Sequence, residues 1–180
     1  MMKNIYKKYN PYILPICLIL VLSFSRIIPH PSNFTPILAV GVFSGFYFKN
    51  FILSFFIVVC SMFLGDLYLG FHSTMFFTYT SLSVAVLIGI FIKHLKFKEI
   101  LFSGLLSSTI FFIVTNFGVW ALSGMYEENF SGLITAYALA IPFFHNTLLS
   151  TLFYLFLLKI VYEFMFRKNR ERALFKNFSN

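Results

Sequence analysis

RIIPHPSNFTPILAVGVFSG, residues 26–45, is the stretch in which one apolar run stops, turns through three prolines and restarts as another. Pro29, Pro31 and Pro36 lack a backbone N–H and hold φ near about −65°, so residues 29–35 cannot form ordinary helix. Thr35 followed by Pro36 reads as an N-cap and a first helical residue. Behind them Ala39, Gly41 and Gly45 put small residues on a helix, with the two glycines four apart on one face, where another helix can approach closely. The polar residues of the turn, Arg26, His30 and Asn33, stand between the two apolar runs. The stretch is therefore expected at a membrane face, as part of a binding site.

The surrounding chain supports a membrane reading. Of its 180 residues 59% are hydrophobic and 11% charged, where a soluble domain carries about 25% charged. The mean hydropathy is +0.84. The apolar runs are too long for a soluble core, so the expected fold class is all-α, a polytopic membrane protein forming one domain. Six spans are expected, over about residues 12–28, 36–48, 51–67, 75–92, 100–122 and 133–163, with a basic tail at 164–180. The first follows a basic start without a small-residue cleavage site and reads as an uncleaved helix. The second is short, about 20 Å at 1.5 Å per residue. Only Lys49 and Asn50 separate it from the third, so the two form a helical hairpin. The last apolar segment is too long for a single span, and Pro142 is expected to break it.

The net charge of +8 marks topology rather than a nucleic-acid partner. With the N-terminus in the cytoplasm, thirteen of the fourteen basic residues fall on the inner side and only Arg26 on the outer. This pattern agrees with the positive-inside rule for six spans and two cytoplasmic ends. The inner surface then meets anionic lipid.

Polar residues at membrane depth are costly and line cavities or pair with one another. Here they gather towards the outer ends of the spans: Arg26, His30, Asn33 and Thr35, then Asp66 and His72, then Asn116 and Trp120, then Tyr137, His145, Asn146 and Thr147. One outward-facing pocket is expected, bound by Arg26, His30, Asn33, Asp66, Asn116, Trp120, Tyr137, His145 and Asn146. Each residue also has a simpler reading. Asp66 beside Gly65 either ends its helix at the interface, pairs with Arg26 or meets a ligand. Arg26 can snorkel to phosphates, Trp120 can anchor at the interface, and His145 and Asn146 can satisfy carbonyls freed by Pro142. On the pocket reading, Asp66→Ala and Asn116→Ala weaken binding and leave the fold intact.

Histidines 30, 72 and 145 have no metal-ligand spacing, and no metal or cofactor is expected. Cys17 and Cys60 lie in different spans and form no disulfide framework. The sequence holds no GxSxG, no GxxxxGK[ST] and no paired acids within a span, so no catalytic residue is assigned and the chain is not expected to be an enzyme.

Three segments carry a family resemblance: Pro36-Ile37-Leu38-Ala39-Val40-Gly41-Val42-Phe43-Ser44-Gly45, Leu64-Gly65-Asp66-Leu67 and Thr115-Asn116-Phe117-Gly118-Val119-Trp120. With six spans, a basic inner face and an outward pocket, the chain resembles the substrate-binding S-components of energy-coupling factor (ECF) vitamin transporters. It also resembles uncharacterised bacterial membrane proteins with a Pro-x-Asn-Phe-x-Pro start. The first resemblance implies a multi-pass protein of the bacterial inner (cytoplasmic) membrane that takes up a small micronutrient. It also implies ECF transmembrane and ATPase subunits as partners. S-components commonly dock through an alanine face in the first span, which has no alanine here; Ala39, Gly41 and Gly45 then serve helix packing or offer a substitute docking surface, or docking does not occur. The alternatives are a membrane-embedded enzyme and a ligand-free assembly protein.

Overall fold

A computed structural model describes residues 13–178 in backbone and the side chains of residues 13–164. The basic start at 1–12 and the side chains of the basic tail at 165–180 lie outside the described residues. Six α-helices and no strand occur among the described residues: α1 (Ile13–Ile27), α2 (Ile37–Phe48), α3 (Phe51–Leu69), α4 (Met75–Phe91), α5 (Phe97–Leu122) and α6 (Phe130–Phe178). The fold is all-α. Three segments, Phe51–Leu69, Phe97–Leu122 and Phe130–Phe164, are long and apolar enough to cross a membrane; α1, α2 and α4 are shorter apolar helices. Large apolar side chains such as Phe24, Phe76, Phe91, Phe102 and Ile160 stand exposed around the bundle, a surface suited to lipid rather than water.

The bundle is built around its shortest helix. α2, ILAVGVFSGFYF, is apolar on every side, and a helix without a polar face is a buried one. All residues from Ile37 to Phe46 are buried, and α3, α4, α5 and α6 surround them. Its closest neighbour is α4. A Cβ on Gly45 would overlap the Val86 carbonyl, and one on Gly89 would overlap the carbonyl of Val42. Gly41 faces Ala85, with 3.5 Å between the Ala85 Cβ and the place a Gly41 Cβ would take. The small-residue face is thus a packing surface within the chain. Of its two expected roles, helix packing and partner docking, the burial of Ala39, Gly41 and Gly45 leaves the first. Serines help the close packing: Ser44, Ser81, Ser103 and Ser107 are buried and bond carbonyls of their own helices.

The two-residue link between α2 and α3 works by division of labour. Lys49 takes the left-handed conformation, φ 51°, and its N–H closes α2 on the Gly45 carbonyl; Asn50 is extended, and its side chain accepts from Leu53 N at 3.0 Å to open α3. The Lys49 ammonium also donates to the carbonyls of Ile90 and Ile92, capping the end of α4, where a cation suits the helix dipole. The α2 start differs from the sequence expectation. Pro36 occupies the cap position and its carbonyl accepts from Val40 N, with no side-chain cap from it or from Thr35.

α6 also differs. It runs unbroken through Pro142, although proline removes one intrahelical donor. Packing on α5 holds both halves in line: Tyr137 donates to the Ile113 carbonyl at 2.8 Å before the proline, and Phe144 packs on Phe112 after it, ring centroids 5.0 Å apart. Of the two readings open for Asn146, a pocket residue or a partner for carbonyls freed by Pro142, the structure shows neither: it donates to Ser32 O at 2.9 Å.

A polar cavity above the central helix

The first turn of α2 forms the floor of a cavity of about 350 Å³ at the end of the bundle opposite Lys49. Ile37 and Leu38 contribute from the floor. One wall comes from Arg26 and His30, with Met62, Leu69 and His72 from α3 and the turn after it. Thr78 and Leu82 of α4 and Phe111 of α5 close the back. Thr147, Ser150 and Thr151 of α6 make the facing wall, and Asn33 and Thr35 lie on the connecting loop. The exposed rim residues His30, Asn33 and His72 open it to the outside of the bundle.

Arg26 is fixed by the helix it leans on. Gly65 leaves room for the guanidinium, since a Cβ there would meet Arg26 Nη1 at 2.5 Å. That Nη1 donates to Met62 O at 2.7 Å and lies 2.7 Å from Asp66 Oδ1. The Asp66 contact is an ion pair without hydrogen-bond geometry at Oδ1. Tyr79 of α4 donates to Asp66 Oδ2 at 2.6 Å. The Asp66 side chain has no exposed surface and that of Arg26 only 16%, so water screens the pair weakly. Of the readings open for Asp66, the structure selects pairing with Arg26. Asp66 lies behind the cavity and does not line it.

The loop carrying Asn33 is held rather than free. Phe34 N donates to Pro31 O at 2.9 Å, and Asn33 adopts φ 61°, a conformation asparagine tolerates better than most residues. Asn146 Nδ2 grips Ser32 O, and Ser150 Oγ reaches Asn33 O at 3.4 Å. Phe34 packs between Phe153 and Tyr154, at 6.4 and 6.1 Å between centroids. His30 Nδ1 is 2.6 Å from Ile28 O; a carbonyl only accepts, so this nitrogen carries the proton.

Arg26, His30 and Asn33 therefore meet as expected, and Thr35, His72 and Thr147 join them. The expectation of one pocket fails for the others. Asn116 Nδ2 bonds the Phe112 carbonyl of its own helix at 2.8 Å. It lies five residues beyond the cavity-lining Phe111, hence about 140° around the helix. Trp120 Nε1 donates to Glu127 O at 3.0 Å and fixes the α5–α6 loop. Tyr137 is occupied with Ile113 O and borders a separate apolar groove with Phe112, Leu133 and Ile141. His145 is exposed, two residues and about 200° from Thr147. Asn146 serves the cavity only by holding its loop.

Thr78, Ser150 and Thr151 were missed. The signal for the α6 pair was present: Thr147, Ser150 and Thr151 are spaced i, i+3, i+4 and share one helix face. Among the described residues no group of three or more His, Cys, Asp or Glu side chains comes together.

Neither curated proteins nor solved structures yield a match to this chain. A protein-family model, described as Family of unknown function (DUF6580), matches residues 7–174. That span covers nearly all of the chain, which includes α1 to α5 and most of α6, so the protein belongs to the DUF6580 family.

Proposed function

We propose that this protein is a membrane-embedded substrate-binding protein of the ECF S-component type, capturing a small, vitamin-like molecule from the outer side of the bacterial inner membrane. The observation that carries the reading is the cavity of about 350 Å³, lined by polar and apolar side chains together. Ligand sites for small molecules have this size and this mixture of surfaces. Lys49, Lys93 and Lys96 lie at the opposite end of the bundle, between α2 and α3 and between α4 and α5. By the positive-inside rule that end is cytoplasmic, which turns the cavity outward. A ligand-free assembly protein has no need of such a space.

Inward transport would draw on a partner's ATPase or on an ion gradient, and the resemblance to S-components favours ECF transmembrane and ATPase subunits as the proposed partners. They would meet a face other than Ala39, Gly41 and Gly45, which the helices around α2 bury. The test is mass spectrometry of polar small molecules released on denaturing protein purified in mild detergent. The wild type should release at least one compound that Thr78→Trp, which fills the cavity, does not. Identical profiles from the two proteins would end the binding-protein reading.

A further inference from the structure

The polar groups of the cavity differ in what they have left to offer, and this constrains what fits. Four hydroxyls have already spent their protons on backbone carbonyls. Thr147 donates to Phe143 O at 2.9 Å, Thr151 to Thr147 O at 2.7 Å, Ser150 to Thr147 O at 3.0 Å and Thr78 to Thr74 O at 3.3 Å. A hydroxyl whose proton is engaged presents its lone pairs, so Thr147 and Thr78, the least enclosed of the four, offer acceptors rather than donors to a ligand. Arg26 is the opposite case. Its Nη1 is occupied, while Nε and Nη2 make no hydrogen bond among the described residues and remain donors.

Charge supplies the second constraint. The one permanent charge lining the cavity is Arg26, and Asp66 already balances it at 2.7 Å. An ionic ligand would enter without a counter-charge, and an isolated charge taken out of water is the most costly group to bury. A neutral ligand meets no such barrier, and a carbonyl oxygen is sufficient to use the free donors of Arg26.

Resting on the binding-protein reading above, we infer that the cavity selects a molecule without net charge. It carries a carbonyl-type acceptor directed at Arg26 and N–H or O–H donors directed at the Thr78 and Thr147 hydroxyls, as an amide or a lactam heterocycle does. The cavity of about 350 Å³ corresponds to roughly twelve waters at about 30 Å³ each, which admits a molecule of one or two small rings.

Three pools of compounds of that size test this. One holds neutral amides and lactam heterocycles, one monocarboxylates and one primary amines. Each is equilibrated at pH 8 with the full chain in detergent, and retained compounds are measured by mass spectrometry. The expected result is retention from the neutral pool alone. It should fall at least tenfold in Thr78→Val, which keeps the shape and removes the acceptor, and return in Thr78→Ser. Thr147→Val on α6 provides a second variant should Thr78→Val fail to fold. Equal or greater retention from the carboxylate or amine pool overturns the neutral-ligand inference and leaves the binding-protein reading standing. Retention from no pool overturns both. Neutral compounds held equally well by folded Thr78→Val and Thr147→Val would show that the hydroxyls do not recognise them.

Discussion

Asp66 has no exposed side-chain surface and two partners, Arg26 and Tyr79. Removing it leaves the guanidinium largely buried without a counter-charge. Asp66→Ala is therefore expected to destabilise the protein by about 3–5 kcal/mol, rather than to weaken binding in an intact fold as the sequence suggested. Replacing both partners is much milder when the pair is exchanged for apolar side chains. Arg26→Met combined with Asp66→Leu should thus melt well above Asp66→Leu alone, in a double-mutant cycle followed by thermal unfolding in detergent. Additive losses would show that the two residues do not act as a pair. Asn116 is the converse case. Its amide bonds only the carbonyl one turn back, so Asn116→Ala should change stability by less than about 1 kcal/mol and leave ligand retention unchanged. A loss of retention in that variant would place Asn116 at the cavity after all.

The contact between α2 and α4 makes a sharper test of packing. Gly41 and Gly45 read alike in the sequence, four residues apart on one face, yet their surroundings differ. At Gly45 a methyl group meets the Val86 backbone, which cannot turn aside as a side chain can. Gly45→Ala is expected to cost about 1–3 kcal/mol as the helices move apart. At Gly41 the nearest atom is a methyl at 3.5 Å, an ordinary contact. Gly41→Ala should be neutral, or stabilising by up to about 1 kcal/mol through helix propensity. Equal melting of the two variants would contradict the helix register described here. The glycine face of α2 was readable from its spacing, but the difference between Gly41 and Gly45 was not, because it depends on which atoms of α4 lie opposite each. For α6 the sequence misled in another way. A proline inside a long apolar run suggests a break, but Tyr137 and Phe144 packed on α5 support the helix on either side of it.

At the scale of the whole molecule, the proposed orientation places the loop around Glu128 outside the cell and the turn around Lys93 inside. In a variant with Cys17 and Cys60 replaced by serine, Glu128→Cys should react with a membrane-impermeant maleimide in intact cells, and Lys93→Cys only after lysis. The reverse pattern would invert the protein and turn the cavity to the cytoplasm. What the sequence by itself determined was the all-helical class, the tight hairpin at Lys49 and Asn50, and the polar turn beside α2. These depend on the length of apolar runs, on proline and on capping chemistry, all of which act between near neighbours in the chain. The tertiary structure alone decided which polar residues share a space. Each step along a helix turns a side chain by about 100°, so Phe111 and Thr151 can face the cavity while Asn116 and His145, a few residues away, face elsewhere. Partner choice was decided at the same level. Asp66 is held by Arg26 and Tyr79 because Gly65 lets the guanidinium lie against α3 while α4 brings the phenol from the other side, an arrangement of three helices that no local pattern encodes.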